Sequence, residues 1–125
     1  ETEKTGYMHS KTANTILDSL FGLSHPPTAI VAMNDGNASE LMRSALNRGL
    51  RIPEQLSVVG FDNLPFSAHC EVPLTTVEQP FRRIGERAAS ILLAQIGNPS
   101  APYESELLEP KLIVRDSTAP PSSRS

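Results

Sequence analysis

The sequence predicts an α/β fold built on a parallel sheet, and three observations support that prediction. Residues 28–33 and 56–61 are short apolar segments rich in β-branched residues, which are typical of strands buried on both faces. Between them, apolar residues over 38–46 recur at the spacing of one helix face, and Gly49 should end that helix. A polar turn directly follows each strand. Two strands joined by a helix imply parallel pairing through a right-handed crossover.

An amphipathic helix is predicted ahead of the first strand. Apolar residues line one face of residues 9–24 at helical spacing. Ser10 or Thr12 could cap its start, and Gly22 could end it in a left-handed conformation.

The pattern changes after residue 62. Residues 64–74 contain two prolines and no clean period, so we expect an irregular segment with one short helical turn. The remaining predicted elements are a strand at 75–77, a helix with Pro80 at its first position that ends at Gly97, short strands at 104–108 and 111–114, and a disordered polar tail over 119–125.

The composition excludes several classes of protein. The 125 residues carry a formal charge of −3, without a cluster of Lys and Arg that would hold duplex DNA by its phosphates. No apolar run approaches the ~18 residues that a membrane span needs. A single cysteine, Cys70, excludes a disulfide within the chain and a zinc site built from several cysteines. We expect it to fill a small apolar space.

The polar turns after the two strands are the first candidate site. Asn34 and Asp35 follow the first strand, and Asp62 and Asn63 follow the second. In an open parallel sheet, ligands bind beyond the carboxyl ends of the strands. All four residues could instead be helix caps and turn formers that need no ligand. The residues alone leave both interpretations open.

Three further residues have two interpretations. Gln79 and Phe81 stand at a strand-to-helix junction, where an amide and an aromatic ring could face a ligand. Alternatively, Gln79 lies on the surface and Phe81 is the first core position of its helix. Tyr7, just before the first helix, could contact a ligand or form a wall of the core.

Two aspartates at strand ends also allow an enzyme that holds Mg²⁺ with Asp35 and Asp62. The accompanying parts are missing, because the sequence has no glycine-rich phosphate loop, no HExxH motif and no GxSxG motif. Its three histidines are far apart in the sequence. We therefore expect no catalytic residues, no cofactor and no metal.

Five sequence motifs follow one another along most of the chain. They are PTAIVAMND at 27–35, GLRIP at 49–53, LSVVGFDN at 56–63, PLTTVEQP at 73–80 and VRDST at 114–118. Their order and spacing resemble the carboxyl-terminal half of the effector-binding core of LacI/GalR-family bacterial transcriptional repressors, from about Thr5 to Pro120. The resemblance implies part of a type I periplasmic-binding-protein-like fold, whose two subdomains enclose a cleft.

The resemblance also implies a division of the chain. Residues 1–79 would form most of the carboxyl-terminal subdomain, and residues 80–108 would belong to the amino-terminal subdomain. Residues 109–118 would return to the carboxyl-terminal subdomain as a strand. The operator-binding helix-turn-helix would lie upstream of Glu1, so this region would bind DNA only through that absent part. The protein would be cytoplasmic.

Roles for the candidate residues follow from the same resemblance. Effector-contacting positions match Asn34, Asp62, Gln79, Phe81 and Tyr7. The effector would be a small polar metabolite such as a sugar, with purines also possible, and its binding would close the cleft and change operator affinity. A periplasmic-type sugar-binding protein of a transporter is the alternative.

The resemblance further implies a homodimer. Family dimers pair through the helix after the first strand and through the segment after the second. In this chain the corresponding positions include Met42, Ala45, His69 and Cys70.

Overall fold

The computed structural model describes residues 8–121. Within that range the chain forms α1 (Ser10–Phe21), β1 (Ala29–Val31), α2 (Asp35–Asn47), β2 (Ser57–Phe61), a 3₁₀-helix (Pro65–His69), β3 (Thr75–Glu78), α3 (Phe81–Gly97) and β4 (Lys111–Ile113). The predicted α/β class is confirmed, and the 3₁₀-helix is the short helical turn expected in the irregular segment.

The four strands form one sheet in the order β1-β2-β3-β4. β1 pairs with β2, and β2 with β3, in parallel, as the sequence predicts. β4 pairs with β3 in the antiparallel direction, which makes the sheet mixed rather than purely parallel. The carboxyl ends of β1, β2 and β3 therefore lie at the same edge of the sheet.

The hydrophobic core lies between one face of the sheet and the helices α1 and α2. α2 packs on β2, and α1 packs on α2. This arrangement follows from the apolar faces of both helices, because each must be removed from water. The buried apolar residues are Ala13, Leu17, Ala32, Ala38, Leu41, Met42, Ala45, Ile52, Leu56, Val58 and Leu74.

The prediction that the first strand is buried on both faces is wrong. β1 is not buried on both faces, since Ala29 is exposed and Val31 is 75% exposed. The reason is that β1 is an edge strand and that, within residues 8–121, α1 and α2 cover only the other face. Leu112 and Val114, at the far edge, are also exposed.

The ends of α1 differ from the prediction. Neither Ser10 nor Thr12 caps the helix, because His9 occupies the N-cap position with extended backbone. Gly22 is right-handed, with φ of −77°, whereas Gly49 after α2 has the left-handed φ of 78° expected of it.

Two predictions for the later elements are also wrong. Pro80 precedes α3 as its N-cap instead of being its first residue. Residues 104–108 form no strand, because this stretch pairs with no strand of the sheet and Leu107 is fully exposed.

The beginning of the predicted disordered tail is ordered. The Thr118 hydroxyl lies 3.0 Å from that of Thr75, and the Ala119 amide donates to the Ser57 hydroxyl at 3.2 Å. These hydrogen bonds attach the chain to β2 and β3. Residues 122–125 lie outside the described residues.

α3 differs from the other helices in its surroundings. None of its residues is buried, although its sequence is amphipathic. The exposed large apolar residues of α3 are Phe81, Ile84, Leu92, Leu93 and Ile96.

Among the described residues, no helix is long and apolar enough to cross a membrane.

Replacement of Gly60 in β2 by alanine should destabilise the protein. The new Cβ would overlap Asp35 Oδ1 and lie only 2.9 Å from Leu74 Cδ2 and 3.2 Å from Asp35 Cα. We expect the free energy of unfolding in urea to fall by about 2 kcal/mol, as for other overpacked cores. Gly85→Ala in α3 is the control, because its Cβ would meet nothing within 4 Å. Equal stability of the two variants would contradict this packing.

Candidate functional site

Polar side chains gather at the edge of the sheet where β1, β2 and β3 end. Asn34 and Asp35 begin α2 shortly after β1, Asp62 directly follows β2, and Gln79 directly follows β3. Parallel pairing of these strands brings the three segments to one edge, as the sequence predicts.

Asn34 caps α2. Its Oδ1 accepts the Asn37 backbone N–H at 2.8 Å, so the interpretation of Asn34 as a helix cap is confirmed. Asn37 Oδ1 in turn accepts the Met8 N–H at 2.9 Å. Asn34 is half-buried, and its amide nitrogen donates to no acceptor within residues 8–121. That nitrogen remains able to donate to a ligand.

Asp35 is a structural residue. Its side chain is fully buried, and its two oxygens accept hydrogen bonds from the Thr76 hydroxyl and from the Leu64 N–H, the latter at 2.7 Å. Both carboxylate oxygens of Asp35 are hydrogen-bonded and buried, so the hypothesis that Asp35 holds Mg²⁺ is wrong. The part of the chain described by the structure also contains no group of three or more His, Cys, Asp and Glu side chains placed to hold a metal.

The turn after β2 is strained. Asp62 has φ of 111° and Asn63 has φ of 52°, and neither is glycine. Such conformations cost of order 1–3 kcal/mol each and persist only where their surroundings fix them. Here the Asp62 N–H donates to Val77 O at 2.8 Å and the Asn63 N–H to Thr76 Oγ1 at 3.3 Å. Strain of this kind is concentrated at functional sites.

Two of the predicted ligand residues contact each other at this edge. Gln79 Nε2 donates to Asp62 Oδ1 at 2.7 Å, and both residues are half-buried. Within residues 8–121, Asp62 Oδ2 and Gln79 Oε1 accept no further hydrogen bond. The pair therefore presents two acceptor oxygens that can bind hydroxyl or amine donors.

Phe81 stands beside this pair as the first residue of α3. Phe81 is 52% exposed, so it does not belong to the core formed by residues 8–121. With Gln79, Pro80 and Arg83 it lines an open depression. An exposed ring at this position can pack against the apolar face of a ligand. Tyr7, the remaining predicted contact, lies outside the described residues.

Sequence reasoning did not identify the residues that hold the strained turn. Asn63 Nδ2 donates to Glu78 Oε1 at 2.8 Å, and Asn63 Oδ1 accepts from Arg115 Nη2 at 2.7 Å. Arg115 is separated from Asn63 by 52 positions, so no local pattern could have paired them. The only signal was the presence of Arg115 in the VRDST motif.

The residues predicted for a dimer interface lie in two environments. Met42 and Ala45 are 2% and 0% exposed because they face the core of a single chain, which leaves these two residues little surface to offer a partner. His69 is exposed and Cys70 is half-buried. Cys70 borders a narrow groove together with Arg43 and Leu46, and Met42 forms part of its lining.

Comparison with known proteins fits this architecture. Residues 1–118 match the family described as a periplasmic binding protein-like domain. The chain belongs to that family. The HTH-type transcriptional repressor CytR of Escherichia coli K12 is 38% identical over 102 residues, which cover 82% of this chain and 30% of the repressor. The chain thus spans about a third of the length of the curated relatives that it matches.

Solved structures show the same relationship. A LacI-family transcriptional regulator from Enterococcus faecium, solved with bound ribose, is 31% identical, with a TM-score of 0.76. The dimeric Lac repressor with an 11-residue C-terminal deletion gives the same two values. In each case 90% of this chain and 41% of the neighbour are covered. The resemblance to LacI-family effector-binding cores that the sequence motifs predict is confirmed.

Asp35→Asn should destabilise the protein. An amide has one acceptor oxygen where the carboxylate has two. With that oxygen on the Leu64 N–H, the amide nitrogen faces the Thr76 hydroxyl, whose own proton then loses its acceptor. A buried donor without a partner costs about 1–3 kcal/mol, and we expect the free energy of unfolding in urea to fall by that amount. The control is Asp18→Asn, whose side chain is 71% exposed and pairs with Arg48 on the surface. A loss no larger than that of the control would contradict a structural role for Asp35.

Proposed function

We propose that this chain is the effector-sensing part of a LacI-type bacterial transcriptional regulator and binds a small polar metabolite, in the first instance a sugar. The contact between Asp62 and Gln79 carries the proposal. It places the carboxylate of a strained turn beside an amide at the sheet edge where α/β proteins bind ligands. The transcriptional repressor and regulator among the similar proteins support the regulatory role.

The chemistry of the proposed site suits a polyhydroxylated ligand. Asp62 Oδ2 and Gln79 Oε1 would accept from sugar hydroxyls, and the Asn34 amide would donate to one. A charge-assisted hydrogen bond to Asp62 would be the strongest of these contacts. The Phe81 ring would pack against C–H groups of the sugar, and Tyr7 would add a second aromatic contact. The ribose bound by the Enterococcus faecium regulator supports this ligand class.

The division of the chain explains how binding would be transmitted. We assign residues 1–79 and 109–118 to one subdomain and residues 80–108 to the other, with the site at their junction. The absence of buried residues in α3 supports this boundary, since α3 gains little packing from the sheet described here. Ligand binding would shift the equilibrium towards a closed cleft, and the closed state would differ in operator affinity.

Operator binding and cellular location are proposed for the full-length protein. Operator DNA would be bound through a helix-turn-helix in the full-length protein, because the present residues carry no basic cluster. Such a regulator works in the bacterial cytoplasm. The relatives are named as repressors, and this supports a binding role for the proposed site.

We also propose that the protein forms a homodimer through α2 and the 3₁₀-helix. Phe66 is 41% exposed, and His69 and Cys70 lie on the same short segment. Together with the groove beside Leu46 they give a partly apolar surface, which is the composition of the centre of an interface. The dimeric Lac repressor among the structural neighbours supports this proposal.

Asp62→Asn should weaken sugar binding without loss of the fold. Asparagine has the same shape and tolerates positive φ, but it cannot make a charge-assisted hydrogen bond. Isothermal titration of the full-length protein with D-ribose, sucrose, cellobiose and adenosine should find at least one of them bound. For that compound the variant should raise the Kd about tenfold to a hundredfold, as expected when a hydrogen bond to a charged group is lost.

Asp116→Asn is the matched control, because Asp116 is exposed and follows β4 away from the proposed site. It should bind as the wild type does. If both variants bind equally well, Asp62 does not contact the ligand. Binding without any change in operator affinity would instead favour a solute-binding protein of a transporter.

His69→Glu should weaken the dimer. His69 is exposed in the single chain, so the substitution leaves the core intact, while two added carboxylates would meet or be desolvated at the interface. Sedimentation velocity of the full-length protein should show the dimer Kd rising about tenfold or more. Lys111→Glu, an exposed change on β4, should leave it unchanged. An unaltered dimer in the His69 variant would exclude this surface.

A further inference from the structure

The turn that carries Asp62 is attached to two other parts of the fold by three consecutive backbone amides. The Asp62 N–H donates to Val77 O in β3, and the Asn63 N–H donates to the Thr76 hydroxyl. The Leu64 N–H donates to Asp35 Oδ2 at the start of α2. The path of the turn is therefore set by β3 and α2 as well as by β2.

Asn63 provides a second attachment through its side chain. Its amide nitrogen donates to Glu78 Oε1 at 2.8 Å, and its amide oxygen accepts from Arg115 Nη2 at 2.7 Å. The Asn63 carboxamide thus donates to an acidic side chain and accepts from a basic one. This arrangement fixes the rotation of the amide, because exchanging its oxygen and nitrogen would oppose both partners.

Arg115 is itself held from several directions. Its Nη1 donates to Leu74 O at 2.7 Å and to Ser67 Oγ at 3.0 Å, and its backbone N–H donates to Thr75 Oγ1 at 2.9 Å. The planar guanidinium therefore links the segment before β3 and the 3₁₀-helix to Asn63. Lysine carries all its side-chain donors on one nitrogen, so it lacks the separated Nη1 and Nη2 that reach Leu74, Ser67 and Asn63.

We propose that Asn63 and Arg115 are positioning residues of the effector site. The hydrogen bonds of the two side chains hold the turn, in which Asp62 has φ of 111° and Asn63 has φ of 52°. They thereby keep the Asp62 carboxylate against Gln79. The ligand part of this proposal rests on the proposed function. The structural part, that the side chains fix the turn, stands without any ligand.

The network also reaches the connection from β3 to α3. Glu78 ends β3 just before α3 begins, whereas Arg115 follows β4 and lies beyond both connections to α3. Asn63 contacts both residues. A movement of α3 that displaces Glu78 would therefore change the support of the turn that carries Asp62.

A polarity exchange tests the network. Asn63→Asp keeps the acceptor for Arg115 but turns a second carboxylate towards Glu78, so the turn should loosen. Adding Glu78→Gln supplies an amide that can donate to the new carboxylate and restores the pairing. Hydrogen–deuterium exchange of the ligand-free full-length protein should show amides 62–64 exchanging about tenfold faster in the single variant, and within about threefold of wild type in the double variant.

Asn98→Asp, at the exposed C-terminal cap of α3, is the matched control and should leave these amides unchanged. Urea unfolding of each variant separates a local effect from a global loss of stability. If Asn63→Asp does not fold, Arg115→Lys should give the same faster exchange. Unchanged exchange in the available single variants, or a double variant as fast as Asn63→Asp, would overturn the positioning role.

The affinity for D-ribose would not change if Asn63 and Arg115 had a purely structural role. Asn63→Asp should raise the Kd for D-ribose, and Glu78→Gln in addition should lower it again. Restored exchange without restored affinity would overturn the link between the turn and the site. If the wild type does not bind D-ribose, the sugar proposal fails at that ligand, while the exchange measurements still decide whether Asn63 and Arg115 fix the turn.

Discussion

The buried carboxylate of Asp35 is the constraint on which the rest of the structure depends. A charged group without solvent is tolerated only where donors replace the lost water, and Asp35 obtains them from Thr76 in β3 and from Leu64 after β2. Gly60 in β2 leaves the space that this carboxylate occupies. One side chain therefore fixes the start of α2 against two strands and the turn between them.

The proposed site follows from that constraint. Because α2 begins where Asp35 holds it, Asn34 is placed at the edge of the sheet beside the turn that carries Asp62. The turn is strained, and its hydrogen bonds to β3 compensate the strain. The structural role and the proposed ligand-binding role are thus divided between two aspartates. Asp35 is buried and supports the fold, while Asp62, half-buried and only partly hydrogen-bonded, is available to a ligand.

The sequence predicts the parts of the fold that depend on local patterns. The spacing of apolar residues gave the helices, and β-branched segments gave β1, β2 and β3. Burial of β1 was predicted wrongly because that pattern does not reveal what covers the second face of a strand. The segment at 104–108 has strand composition but no pairing partner, which composition cannot show. The polar turns predicted the position of the proposed site, whereas Arg115 was missed because its contact with Asn63 joins distant parts of the chain.

The most direct test of the account is a crystal structure of the full-length protein with the tightest-binding compound among D-ribose, sucrose, cellobiose and adenosine. The compound should lie at the carboxyl ends of β1, β2 and β3, with a hydroxyl within hydrogen-bond distance of Asp62 and with Phe81 against one of its faces. Asp35 should make no contact with the compound. A compound bound elsewhere, with Asp62 still paired only to Gln79, would contradict the account.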